Sequence, residues 1–165
     1  MKKYELKIYP DSVLRKISLP IDEIDHVTRH LFKNMYKIMY DNNAIGLAAP
    51  QVGVLKRVVI VDTGNRLLSM INPEILSGFG EEKMEEGCLS LPNTRLNIDR
   101  KTTCFVRFMD KNEKEKEMEF TGLEARVIQH EIDHLDGILI IDRASITEKL
   151  LRNVHNTFPR KHNFL

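Results

Sequence analysis

The chain has 165 residues, 42% of them apolar, which is enough to build one compact domain around one hydrophobic core. Its 25 Lys and Arg residues nearly balance its 24 Asp and Glu residues, so the charge gives no reason to expect nucleic acid as the main partner. No apolar run is long enough for a signal peptide or a membrane helix, and two cysteines are too few for a disulfide scaffold. The sequence therefore predicts a protein that is not exported and that lies in a reducing compartment.

The first third of the chain predicts two helices. Asp11 is placed to cap a short helix that ends at Lys16, and residues 24–41 have the apolar spacing of three and four that one buried helix face requires. The apolar positions of this second helix are Ile24, Val27, Leu31, Met35, Ile38 and Met39. His26 and His30 lie on it four positions apart, but no acidic or thiol residue accompanies them, so we assign them no metal.

The middle of the chain predicts strands. A segment rich in small residues, AIGLAAPQVG (44–53), leads into the β-forming run RVVIVD. The predicted strands are 57–62, 67–71, 74–79, 96–99, 102–110 and 117–120. Cys104 alternates with Val106 and Phe108 in one of them, which indicates a buried strand residue and not a ligand.

The last third predicts a helix from Leu123 to about His134 that ends before Gly137, then a strand in the apolar run ILIID. Thr147 is a plausible cap for a final helix over 148–157. Helix, many strands, helix, strand and helix in this order predict a single-domain α+β fold with mixed or antiparallel sheets around a central helix.

The central helix contains QHEIDHLDG (129–137). Because each helical residue turns about 100°, His130 and His134 can direct their imidazoles to one metal ion, and Glu131 beside them can move a proton. Such a pattern also arises by chance on a solvated helix, so a third ligand has to decide. The downstream donors, none at a clear spacing, are Asp136, Asp142, Glu148 and His155.

Upstream, EGCLSLP (86–92) offers the thiol of Cys88 on a segment that cannot remain helical. One thiolate and two imidazoles would leave a fourth coordination position for water or substrate, which is typical of a catalytic metal site. A buried inert thiol is the alternative. In the 44–53 segment, Gly46 allows a ligand close to the backbone and Gln51 offers an amide donor for an oxyanion, although a packed loop of small residues explains that segment equally well.

Together, in order and spacing, the three segments resemble the peptide deformylase motifs G-x-G-L-A-A-x-Q, E-G-C-L-S and Q-H-E-x-D-H. The resemblance extends from VLRK near the start to GILIIDR after the HExxH helix. It departs at the first glycine of the first motif, which is Ala44 here. An alanine is unfavourable there if the position needs a positive φ, and harmless if the backbone is extended.

The resemblance implies a role for each matching residue. Cys88, His130 and His134 would be the metal ligands, and Glu131 the general acid and base. The Gln51 amide and the Leu89 backbone N–H would stabilise the oxyanion, while Gly46 would pair with the substrate backbone. Glu86 would support the site and Arg95 would contact the substrate backbone. Leu123 and Val127 lie on the ligand face of the helix and, with Ile45, would form the methionine pocket, although plain core packing is also open.

The implied reaction removes the formyl group from the N-terminal formyl-methionine of new polypeptides in a bacterial cytoplasm. The donor set looks like a zinc site, but the family implies Fe(II), with zinc, nickel or cobalt as substitutes. The basic segment 148–165 suggests ribosome contact, and a solvated helix is its alternative. Two other functions stay open, a different metal-dependent peptidase or amidase and a noncatalytic metal-binding relative.

Overall fold

The computed structural model describes residues 4–150. Its α-helices are α1 (His26–Asp41), α2 (Gly122–Leu135) and the short α3 (Ile140–Arg143). Two 3-10 helices, Ser12–Arg15 and Ala49–Val52, lie before α1 and after the first strand. Asp11 caps the first of them by accepting a hydrogen bond from the Val13 N–H at 3.0 Å, as the sequence predicts.

All the sheet pairings are antiparallel. A five-stranded sheet has the order β1-β2-β3-β6-β7, and β4 and β5 form a separate two-stranded hairpin. The strands are β1 (Gly46–Ala48), β2 (Val58–Asp62), β3 (Leu67–Phe79), β4 (Glu82–Cys88), β5 (Leu91–Arg100), β6 (Thr103–Met109) and β7 (Glu115–Thr121). The α+β prediction is therefore confirmed.

The large sheet lies between α1 and α2. In β2 the buried side chains alternate between the two faces, because successive residues of a strand point to opposite sides. Val59 and Val61 pack with Ile128 of α2, whereas Val58 and Ile60 pack in a second cluster with α1. A third cluster joins the β4–β5 hairpin to α3 and the first 3-10 helix. The first cluster thus fixes α2 on the large sheet, and the third fixes the hairpin on α3.

Two strand predictions are wrong in detail. The predicted strands 67–71 and 74–79 are one strand, β3, whose pairing with β6 shifts register between Ile71 and Glu74, where Asn72 has a φ of 51°. The sequence analysis missed β4 because its run EKMEEGC carries four charged residues and no apolar alternation.

The predicted strand ILIID is also wrong, since its residues 140–142 belong to α3. Gly137, at a φ of 71°, ends α2, and the Asp142 carboxylate then accepts the Leu139 N–H at 2.8 Å and starts a new helical turn. Short apolar runs do not distinguish a buried strand from a buried helical turn.

The helix-boundary predictions need two further corrections. α1 begins at His26, where the Asp25 carboxylate caps the Thr28 N–H at 2.8 Å, and Val27 is 52% exposed instead of buried. The last helical segment begins at 146, with Ser145 Oγ accepting the Glu148 N–H at 3.2 Å, so Thr147 is not its cap. The predicted residues 151–157 of that helix lie outside the described residues. Within residues 4–150, no helix has both the length and the apolar character needed to cross a membrane.

Candidate metal centre and active-site cleft

Cys88, His130 and His134 converge at one point, although the thiol is more than forty positions from either histidine in sequence. Their donor atoms all lie within 4.8 Å of one another, and the Cys88 Sγ is 3.3 Å from His134 Nε2. Within residues 4–150 this is the only group of three or more such side chains close enough to share a metal ion. One soft thiolate and two imidazoles fit a first-row transition metal, with one coordination position left free.

The four downstream donors considered as alternative ligands are engaged elsewhere or not described. Asp136 accepts Arg57 Nη1 at 2.7 Å, and Asp142 pairs with Arg15. Glu148 accepts Asn97 Nδ2 at 3.1 Å. His155 lies outside the described residues. The third donor of the cluster is thus the upstream thiol.

The β4–β5 hairpin places Cys88 at the metal centre. Cys88 pairs with Leu91, so Leu89 and Ser90 form a tight connection directly after the thiol. The register shifts between Gly87 and Cys88, which turns the end of β4 towards α2. A strand end and a tight turn therefore fix the thiol beside the helix.

Glu86, two residues before the thiol, orients His130. Its carboxylate lies 3.0 Å from His130 Nδ1, which leaves Nε2 of that ring available to a metal. The same carboxylate accepts Arg100 Nε and Nη2, both at 3.0 Å, and Arg126 Nη1 at 2.8 Å. Burial alone would raise the pKa of Glu86, but the hydrogen bonds from His130 and Arg100 outweigh it and lower the pKa to about 2.

A buried ion-pair chain continues from Glu86 along α2. Arg100 also donates to Asp133 at 2.5 Å, and Asp133 accepts two bonds from Arg143 of α3, at 2.6 and 3.1 Å. The sequence analysis missed Arg100, Arg126, Asp133 and Arg143 as members of this network. The available signal was that Arg126 and Asp133 fall within the apolar face of α2, where a charged residue needs a partner.

Within the described part of the chain, the His134 imidazole has no carboxylate partner of the kind that His130 has in Glu86. His134 is 1% exposed, and burial lowers its pKa well below the ordinary value, with the charges of His130 and Arg100 adding to the effect. Its Nδ1 has no hydrogen-bond partner among residues 4–150. His134 is therefore a neutral ring, the form that binds a metal.

Glu131 lies beside the cluster of Cys88, His130 and His134 but is not part of it. It is 4% exposed, and burial raises its pKa to about 7 against the opposing charges of His130 and Arg100. Its Oε2 is buried with no partner in the described part of the chain. A carboxyl with a pKa near neutrality can both accept and return a proton, as general acid and base catalysis requires.

Gly46 makes room for that carboxylate. A Cβ at this position would lie 2.5 Å from Glu131 Oε1 and 2.7 Å from Val127 Cγ1, so any side chain would collide with the Glu131 carboxylate. The departure from the first motif at Ala44, two residues before Gly46, is harmless. Ala44 has no positive φ, although the preceding Asn43 has one of 52°, and the Ala44 methyl group packs against the core cluster of α1.

Gln51 is held in one orientation. Its Oε1 accepts the Ala48 N–H at 2.8 Å, which commits the amide Nε2 to the opposite direction, 3.6 Å from Cys88 Sγ and 3.3 Å from Ser90 Oγ. The side chain is 2% exposed. A fixed donor beside the metal ligands suits the stabilisation of a developing negative charge.

A cleft of about 630 Å³ opens onto this site. Its lining includes every sequence-predicted site residue except the buried His134: Ile45, Gly46, Gln51, Glu86, Cys88, Leu89, Arg95, Leu123, Val127, His130 and Glu131. Ile45 and Leu123 are 42% and 49% exposed and both line the cleft, where they form an apolar surface, whereas Val127 at 8% also packs in the core. Arg95 lies at the rim, where its guanidinium pairs with Glu85 at 3.4 Å.

Comparisons with known proteins agree with this geometry. The polypeptide deformylase family profile matches residues 3–150. A peptide deformylase of Thermodesulfovibrio yellowstonii is 51% identical over 159 residues, covering 93% of this chain and 96% of the relative.

Two solved structures share the fold. A peptide deformylase from Synechococcus elongatus in complex with actinonin has a TM-score of 0.87 and 35% identity, covering 93% of this chain and 87% of that one. A Met-Ala-Ser-bound class I type b peptide deformylase from Acinetobacter baumannii has a TM-score of 0.80 and 31% identity, covering 85% of this chain and 97% of that one. The family resemblance seen in the three motifs is confirmed: the chain belongs to the polypeptide deformylase family.

Proposed function

We propose that this chain is a metal-dependent hydrolase that removes the formyl group from the N-terminal formyl-methionine of newly made polypeptides and releases formate. One observation carries the proposal, which is that Cys88, His130 and His134 converge beside Glu131 in a cleft that also contains the oriented amide of Gln51. The relative from Acinetobacter baumannii is bound to Met-Ala-Ser, a peptide with the free methionine terminus that such a reaction leaves.

Cys88, His130 and His134 would hold one divalent cation per chain. When bound, it would polarise the formyl carbonyl and make a water more acidic. We propose Fe(II) as the working metal, as the family resemblance implies, with zinc, nickel and cobalt as substitutes that thiolate and imidazole donors also accept. Turnover measured after anaerobic reconstitution with each metal tests this choice, and a zinc form faster than the iron form would contradict it.

Glu131 would accept the proton of the attacking water and return it to the departing amine. Its raised pKa and its unpartnered, buried oxygen support this role. The Gln51 Nε2 and the Leu89 N–H would donate to the oxyanion that forms at the formyl carbon. The position of Leu89, directly after Cys88 in the hairpin turn, supports the second donor.

The substrate backbone would pair with the free edge of β1 as an added strand. Gly46–Ala48 pairs with β2 on one side and forms the edge of the sheet at the cleft, so the backbone groups of Gly46 can pair with an extended peptide. Ile45, Leu123 and Val127 would contact the methionine side chain. Arg95 at the rim would contact the peptide backbone further along, releasing its weak pairing with Glu85.

Formate release from a formyl-Met-Ala-Ser peptide tests the function. The metal-loaded protein should release one formate per free methionine amine formed, and Glu131→Ala should lose most of that activity. Mass spectrometry of the peptide separates the alternatives. Cleavage of an internal peptide bond would favour a peptidase, and an unchanged peptide with the metal fully loaded would favour a noncatalytic relative.

We further propose that residues 1–165 form one catalytic domain, that it works in a bacterial cytoplasm, and that its basic carboxyl-terminal segment contacts the ribosome. Lys149, Arg152, Arg160 and Lys161 against the single Glu148 support the last proposal, although residues 151–165 lie outside the described structure. Cosedimentation with ribosomes should be lost when residues 146–165 are deleted. Cosedimentation that survives the deletion would contradict docking through this segment.

A further inference from the structure

A second cavity, of about 340 Å³, lies between α1 and the turn 110–114 that joins β6 to β7. Its lining residues are Ile24, Arg29, Phe32, Lys33, Tyr36 and Lys111. It shares no lining residue with the metal cleft, so neither the fold of the catalytic site nor its proposed chemistry accounts for it.

The floor of this cavity is apolar and well ordered. Ile24 and Phe32 are each 5% exposed, and the Tyr36 ring stacks near Phe32 with a centroid distance of 6.1 Å. The Tyr36 hydroxyl is hydrogen-bonded to Ser69 Oγ at 2.5 Å, which leaves the tyrosine ring facing the cavity. Such a floor binds hydrocarbon and not a hydrated ion.

The rim of the cavity is cationic and contains no acidic side chain. Arg29 and Lys33 are one helical turn apart on α1, where like charges repel each other. Arg29 is partly compensated by Glu113 at 3.4 Å, but neither Lys33 nor Lys111 has an ion-pair partner within residues 4–150.

The turn that carries Lys111 is fixed. The Asp110 carboxylate accepts the backbone N–H of Asn112 at 2.8 Å and that of Lys114 at 3.1 Å. The backbone of the turn that carries Lys111 is therefore fixed beside the cavity, and Lys33 lines the cavity from α1. Lys33 and Lys111 both line this apolar space, and their positive charges would complement an anionic head group.

We propose that this cavity binds a free monocarboxylate with a medium-length aliphatic tail. The tail lies on Ile24, Phe32 and Tyr36, and the carboxylate lies between Lys33 and Lys111. The volume is near the lower limit of ligand pockets, which favours a medium-length chain such as one of about eight carbons. The apolar floor disfavours inorganic phosphate, which has no hydrocarbon part to cover it.

Octanoate is the probe that tests the proposal, with 1-octanol and acetate as controls for the charge and the tail. Amide chemical shifts of the metal-loaded protein should respond to octanoate around residues 24–36 and 110–114, and less to either control. Shifts confined to the residues of the metal cleft, or equal affinity for 1-octanol, would overturn the proposal.

Lys33→Gln with Lys111→Gln should weaken octanoate binding about fivefold or more, since each partly exposed charge contributes up to about fivefold. The matched control is Lys37→Gln with Lys114→Gln, on the same helix and turn but outside the cavity lining, and it should leave octanoate affinity unchanged. Unchanged melting temperature and formate release would show that both double variants fold. Equal octanoate affinity in the two double variants would refute the assigned head-group site.

Discussion

Replacing the Glu86 carboxylate by an amide should lower both the free energy of unfolding and the affinity for the metal. A carboxyl whose pKa falls from 4.5 to about 2 on folding contributes about 3 kcal/mol to stability at neutral pH. Glu86→Gln removes that contribution and leaves Arg100 and Arg126 with less compensating charge in a buried site. We therefore expect the free energy of unfolding of the metal-free protein at pH 7 to fall by about 3 kcal/mol.

The metal affinity of Glu86→Gln should fall roughly tenfold to a hundredfold, because the amide no longer accepts strongly from His130 Nδ1 and the ring loses its fixed orientation. Urea unfolding measures the stability, and competition with a chelator measures the affinity. Glu85→Gln is the matched control, since Glu85 is adjacent, exposed and paired only with the rim residue Arg95. A stability loss below about 1 kcal/mol, or equal metal affinity in both variants, would refute the role given to Glu86.

The contribution of Glu86 should also be visible in the pH dependence of the free energy of unfolding. Because the folded pKa of Glu86 is depressed, its contribution is complete above a pH of about 4.5 and is lost as the pH falls towards about 2. The wild type should therefore lose stability over this acid range more steeply than Glu86→Gln.

The remaining predictions concern the cleft. Gly46→Ala should lower kcat/KM roughly a hundredfold, because the new Cβ would displace the Glu131 carboxylate. Gly87→Ala is the control and should retain activity, since the nearest atom to its new Cβ is 3.9 Å away. Equal losses in the two variants would contradict the steric argument. Gln51→Glu keeps the acceptor for the Ala48 N–H but lacks the amide donor, so kcat should fall roughly a hundredfold or more with normal metal content. The activity of the metal-loaded enzyme should decline at acid pH as Glu131 becomes protonated. This decline should fall below a pH of about 7, because the nearby metal cation lowers the pKa of Glu131 further. A decline that begins above pH 7 would be inconsistent with Glu131 as the base.

Local patterns predicted the elements best where one signal dominated. The β-forming run of β2 and the helical periodicity of α1 and α2 predicted the right elements. The same signals failed for β4, whose charged side chains suit a strand at the cleft, and for ILIID, whose apolar run fits a helical turn once Asp142 caps it. A local pattern states which side chains are buried, but not which backbone geometry buries them.

The candidate site was easier to predict than its supporting network. Cys88, Gln51 and the HExxH helix each carry a recognisable chemical function, so motifs in three segments could be combined before any fold was known. The ion-pair chain of Glu86, Arg100 and Asp133 depends on contacts between residues 14 and 33 positions apart, which no local pattern specifies. The empty space that Gly46 leaves for Glu131 is likewise visible only in the folded chain.

The central claim is that Cys88 completes a metal site with His130 and His134, and that this site hydrolyses a formyl amide. Metal content and formate release from formyl-Met-Ala-Ser, measured on the same preparation of wild type and Cys88→Ala, test it most directly. We predict one metal ion per chain and sustained formate release for the wild type, with both lost in Cys88→Ala. Formate release by Cys88→Ala at the wild-type rate, or by the wild type after its metal is removed, would contradict the account.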